Sequence, residues 1–82
     1  MKKTESLDEQ YERKVNEGEK LLGSLEQKGI LESEYLEAQS DFVYLVEKHI
    51  PFEVCSDGKK MERLIDLDDT LASLEQIMER NS

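Results

Sequence analysis

Between Gly29 and Pro51 runs the segment Leu31 to Ile50, LESEYLEAQSDFVYLVEKHI, whose apolar residues recur at helical spacing. At about 100° per residue, Leu31, Tyr35, Leu36, Ala38, Phe42, Val43, Leu45, Val46 and Ile50 fall on an arc about 180° wide. A helix resting on one neighbour needs an apolar stripe of only about 100°. The half-cylinder therefore predicts a central helix, over about 32–49, that touches two other elements. Its opposite face carries Glu34, Glu37, Asp41, Glu47 and Lys48, and Tyr44 stands among them.

The flanks suit a small bundle. A first helix is expected over about 4–28, because Leu7, Tyr11, Val15, Leu22 and Leu25 form a stripe about 120° wide that Gly18 and Leu21 join. A glycine on that stripe is where another backbone could approach closely. Gly29 follows Lys28 where a capping glycine would sit, and Ser33 or Glu32 can open the next helix. So short a connection predicts an antiparallel helical hairpin. Pro51 ends the second helix, since it donates no backbone hydrogen bond and pushes Ile50 out of the α region.

Beyond Pro51 two readings compete. Phe52-Glu53-Val54-Cys55 alternates and Ser56-Asp57-Gly58 carries an Asp-Gly turn signal, so a short β-hairpin at about 52–65 is the preferred reading. The other is a helix continuous from Lys59, since Met61, Leu64, Leu67, Leu71, Leu74 and Met78 also recur at helical spacing. Either way a C-terminal helix over about 68–80 is expected, with Asp68 or Asp69 as its N-cap. The expected fold class is mainly α, a small bundle built on the helical hairpin, with residues 1–82 as one acidic domain.

Eighty-two residues, 37% of them hydrophobic and none of them Trp, lie near the size where one core gives marginal stability. Burial in a homodimer or against a partner is therefore expected to contribute. A lone cysteine, Cys55, cannot form an intramolecular disulfide, which fits a reducing, cytoplasmic setting. The Met-Lys-Lys start leads into no apolar run, so neither a signal peptide nor a membrane span is expected. Net charge is −9, divided as −1 over residues 1–30 and −8 over residues 31–82. Such a balance disfavours direct contact with nucleic acid or an anionic membrane and favours a protein partner with a basic surface.

Two stretches resemble known families. Ile65-Asp66-Leu67-Asp68-Asp69-Thr70-Leu71 resembles the first motif of haloacid dehalogenase-type phosphatases, a resemblance that implies Asp66 as nucleophile and Asp68 as acid and base. That chemistry needs a parallel sheet, a cation and a further acidic pair downstream, and only eleven residues follow Leu71. Ile50-Pro51, the FEV run, the Asp-Gly turn and the strand and capped helix expected after it resemble the wing segment of excisionase-type winged helix-turn-helix domains. In that arrangement the helix before the proline reads DNA; here it carries Glu34, Glu37, Asp41 and Glu47, which repel phosphate.

Metal chemistry finds little support. A calcium loop counted from Asp66 would need glycine at position six and glutamate at position twelve, where Leu71 and Ile77 stand. His49 and Cys55 offer one imidazole and one thiol, too few for zinc and without an orienting third group for catalysis. No catalytic group, cofactor or metal is expected. The expected function is a non-enzymatic regulator or inhibitor that binds a basic protein surface through Glu34, Glu37, Asp41 and Tyr44. Asp66, Asp68 and Asp69 would add field more than contact. Small acidic antagonists such as bacteria and their phages encode offer the analogy. The alternative is a homo-oligomeric structural or assembly subunit without a separate ligand.

Overall fold

The computed structural model describes residues 5–81. Three helices account for most of them, α1 (Leu7–Gln27), α2 (Ser33–Val43) and α3 (Asp57–Arg80), and α2 continues as a π-helical turn over Tyr44–Lys48. No strand occurs among the described residues.

The boundaries follow from local chemistry. Thr4, the expected start of the first helix, lies outside the described residues; Ser6 caps α1, its Oγ accepting the Glu9 N–H at 3.2 Å. The helix closes as the glycine predicts. Gly29 adopts φ 71°, its N–H reaches the Glu26 carbonyl at 3.0 Å, and the Ile30 N–H reaches that of Leu25 at 3.3 Å. This paired closure satisfies carbonyls that the helix end would leave bare, and Ile30 folds back onto the cluster around Leu25. Glu32 is the N-cap of α2.

Residues 52–65 do not form a β-hairpin. Phe52–Val54 make a single 3-10 turn, and Ser56 then caps α3 by accepting the Lys59 N–H at 3.4 Å. The Ser-Asp-Gly signal thus opens a helix instead of a turn between strands, Ser56 serving as its cap and Asp57 standing in the first turn, where a carboxylate is favoured. The C-terminal helix begins eleven residues before the expected position 68, and Asp68 and Asp69 lie well inside it, capping nothing.

The hairpin of α1 and α2 is antiparallel: Tyr35 near the start of α2 donates to the Leu22 carbonyl at 3.5 Å, and Phe42 further along lies against Gly18. α3 runs alongside both. Lys60 pairs with Asp8 at 3.1 Å and Lys14 pairs with Asp68, so α1 and α3 point the same way. Arg80 pairs with Glu34 at 2.8 Å and Arg63 reaches Leu45, so α2 runs against α3.

α3, and not α2, is the central element. It buries Leu64, Leu67, Leu71, Leu74 and Ile77 along one stripe, whereas α2 and its π turn bury Tyr35, Ala38, Phe42 and Leu45. Leu31, Leu36 and Ile50, which the apolar arc assigned to the core, remain exposed, Leu31 at 83%. The core has two parts. Leu25, Tyr35, Ala38, Leu74 and Ile77 fill one end, Phe42, Leu45 and Leu67 the other, and Leu22 touches both. Each leucine buried in this way contributes about 1.5–3 kcal/mol.

Tyr11 and Phe52 extend the second cluster under the connector, their rings stacked at 4.1 Å and 11°. Phe52, expected in a strand, is instead a buried plug between α1 and the start of α3.

Candidate functional site

The four residues expected to bind a partner lie along one edge of α2. Glu34, Glu37 and Asp41 border a depression of about 190 Å³ whose far side is Ser73 and Gln76 of α3. Asp41 also borders the next depression, about 260 Å³, with Tyr44, Asp66 and Asp69. Together the two make one shallow seam between α2 and α3, continuous through Asp41.

Helical spacing explains why α3 contributes acids here. Residues 66, 69, 73 and 76 recur at intervals of three and four, so Asp66, Asp69, Ser73 and Gln76 share one face of a helix that starts at Asp57. The face between them and the core is held by Thr70, whose hydroxyl donates to the Asp66 carbonyl at 3.1 Å. Asp68 points the other way, to Lys14 of α1. The three C-terminal aspartates are thereby separated: two join Tyr44 and Asp41, and one stitches α1 to α3.

The phosphatase-like motif is dismantled by the same geometry. Its seven residues are helical throughout, with no strand leading into a loop, and Asp66 and Asp68 serve opposite sides of α3. The wing-like segment likewise has no strands.

The carboxylates of the seam differ in their engagement. Glu34 is held by Arg80, with Glu32 at 3.8 Å from the same guanidinium. That hydrogen bond, and then the charge of Glu34, raise the Arg80 pKa further above its ordinary value. For Glu37, Asp41, Asp66 and Asp69 no cation stands within ion-pair distance among the described residues. Nor do acids converge on one point: among the described residues no group of three or more His, Cys, Asp or Glu is placed to hold a metal ion. The negative charge is spread along the seam, an arrangement suited to an extended cationic surface.

Tyr44 begins the π turn and is 52% exposed, its ring 5.3 Å from that of His49. The His49 N–H bonds the Tyr44 carbonyl at 2.8 Å, five residues back, which is what widens the turn. His49 Nδ1 in turn accepts the Ile50 N–H at 2.8 Å.

Sequence reasoning missed Arg63. It is 4% exposed, with its guanidinium donating to the carbonyls of Leu45 at 3.3 Å and Ile50 at 2.7 Å and approaching Cys55 Sγ at 3.7 Å. It fixes the end of α2 and hence the position of Tyr44. Its signal lay in the helix read from Lys59, where position 63 falls beside Leu64 and Leu67 on the apolar stripe.

Among the described residues no helix is long and apolar enough to cross a membrane. No protein-family model matches this chain, and searches of the curated proteins and of the solved structures found no match.

Proposed function

We propose that this protein is a non-enzymatic regulator that docks the acidic seam between α2 and α3 onto a basic surface of another protein. The observation that carries the reading is the seam itself: Glu37 beside Ser73 and Gln76, then Asp41 and the exposed Tyr44 beside Asp66 and Asp69, with no cation paired to any of these four carboxylates among the described residues. The carboxylates steer a basic partner and select against acidic ones, while tyrosine adds contact area at low conformational cost. Contact residues are then Glu37, Asp41, Tyr44, Asp66 and Asp69. Glu34 contributes through its pair with Arg80, which ties the ends of α2 and α3 and keeps the seam's width. Cys55, a free and half-buried thiol, fits a reducing compartment such as the cytoplasm.

The test is capture of partners from the native cells with the intact chain and with the double variant Glu37→Lys, Asp41→Lys, in about 0.1 M and about 1 M salt, between which the screening length falls from about 10 to 3 Å. A basic protein held by the intact chain at low salt, released at high salt and not held by the variant is the expected result. Equal recovery by the variant rejects the seam.

A second reading, self-assembly, is favoured by a separate observation. Ile50, Val54, Met61 and Ile65 are each more than half exposed around the start of α3, apolar area that a second copy would cover. Mass in solution separates the two, since a monomer at high micromolar concentration excludes the assembly role.

A further inference from the structure

A second groove lies beyond the π turn, away from the α2–α3 seam. It measures about 510 Å³ and runs between the first half of α1 and the connector after Pro51. No residue of the α2–α3 seam lines it: Val46 faces this groove, whereas Tyr44 and Leu45 face the seam, so the π turn is the wall between them. Its floor is apolar, made by Val15, Val46 and the stacked rings of Tyr11 and Phe52. Its rim is acidic, with Glu12 on one side and Glu53 on the other.

Two residues of the lining, Asp8 and Phe52, already hold a cation. Lys60 lays its stem along the protein, only 13% of its side chain exposed, and places its ammonium 3.1 Å from Asp8 and 5.2 Å from the centre of the Phe52 ring. Glu12 and Glu53 have no such partner among the described residues. The cation nearest Glu12 in sequence, Arg13, is engaged instead by Glu5 at 3.0 Å and Glu17 at 3.6 Å. A groove of about 510 Å³ with an apolar floor, and with two rim carboxylates that have no cation partner among the described residues, complements a side chain that is apolar along its length and positive at its tip.

We infer that this groove receives a lysine or arginine side chain, together with an adjoining aliphatic residue, from a basic peptide segment. The stem lies over Val15 and Val46, and the head reaches Glu12 and Glu53. The inference is independent of the seam, since the two sites share no residue.

The experiment titrates the full, isotopically labelled chain with the peptide acetyl-Leu-Lys-Leu-Arg-amide and follows backbone amide resonances. Two control peptides replace the basic residues by Gln or the leucines by Ser. Saturable shifts are expected at residues 8–16 and 46–53, with affinity at least about tenfold weaker for either control peptide and for the double variant Glu12→Gln, Glu53→Gln. Both glutamates are exposed, and an unchanged circular dichroism spectrum shows that the variant keeps its fold. Shifts confined to residues 34–44 and 66–76, equal binding of the serine control, or unchanged affinity in the variant would overturn the inference. So would shifts at residues 8–16 and 46–53 that grow with protein concentration in the absence of peptide, because a second copy would then be the occupant.

Discussion

Arg63 of α3 holds the carbonyl of Leu45, which the last turn of α2 releases. In a regular α-helix the Leu45 carbonyl would accept the His49 N–H; here that N–H goes to Tyr44, and the freed oxygen receives Arg63 at 3.3 Å. The guanidinium lies at the negative end of the helix and also binds the Ile50 carbonyl and approaches the Cys55 sulfur, so among the described residues a buried cation is held by two carbonyls and a thiol, without a carboxylate. Replacing Arg63 by Met keeps most of the volume and strands both carbonyls. The variant is expected to lose about 2–4 kcal/mol in urea denaturation and to exchange the amides of residues 49–55 faster, whereas an unchanged midpoint would show that the contacts do not hold the turn.

Gly18 of α1 lies directly against the ring of Phe42 of α2. A β-carbon on Gly18 would lie 2.6 Å from Phe42 Cζ and closer still to Cε1, so the glycine makes room for a ring and not, as its place on the stripe suggested, for another backbone. Gly18→Ala is expected to destabilise by about 1–3 kcal/mol despite the better helix propensity of alanine. Gly23→Ala meets nothing within 4 Å and is expected to stabilise by about 0.5–1 kcal/mol. Paired thermal melts decide it, and a stabilised Gly18→Ala would mean that the ring yields freely.

The start of α3 is set at Ser56. Ser56→Ala is expected to cost about 1 kcal/mol, and Asp69→Asn, at the residue that sequence spacing offered as a cap, less than about 0.5 kcal/mol. Urea midpoints of the two variants test the assignment; a larger loss at Asp69 would contradict it.

Tyr35 links stability to alkaline pH. Burial, and secondarily the charge of Glu26, raise its pKa above the ordinary 10.0, because the residue is buried in the hairpin and a phenolate there would lose solvation. A group that binds its proton more tightly when folded contributes stability that is complete below the unfolded value and lost as pH rises from there through the folded one. Stability should therefore hold up to pH 10 and fall above it, and Tyr35→Phe should flatten that fall. Denaturation midpoints between about pH 8 and 11 measure this, the span covering the unperturbed tyrosine value of about 10. An identical slope in both proteins would assign the effect elsewhere.

Much of the local structure was legible in the residues. Gly29 does close α1, Pro51 does stop the second helix, and the short connection between them does produce an antiparallel pair, because each of these rests on backbone chemistry that acts within a few residues. The segment after Pro51 misled for a related reason. Phe-Glu-Val-Cys and Ser-Asp-Gly are compatible both with a hairpin and with a turn plus a helix cap, and the decision is made by Phe52 stacking on Tyr11, a contact across 41 positions.

Composition and periodicity were enough for the helical class, the chain's strong acidity, and the placing of Glu37, Asp41 and Tyr44 on one outward edge of α2. Packing between helices was needed to choose which of them lies at the centre, to bring Asp66 and Asp69 to that edge while Asp68 turns to Lys14, and to bury Arg63. The reason is physical. Periodicity tells which residues share a face of one helix, but the neighbour that a face meets depends on burial and charge pairing among residues far apart in the chain. An apolar arc of about 180° on α2 could have been covered on both sides; the longer stripe of α3 buries more apolar area, takes the centre, and leaves Leu31, Leu36 and Ile50 in solvent.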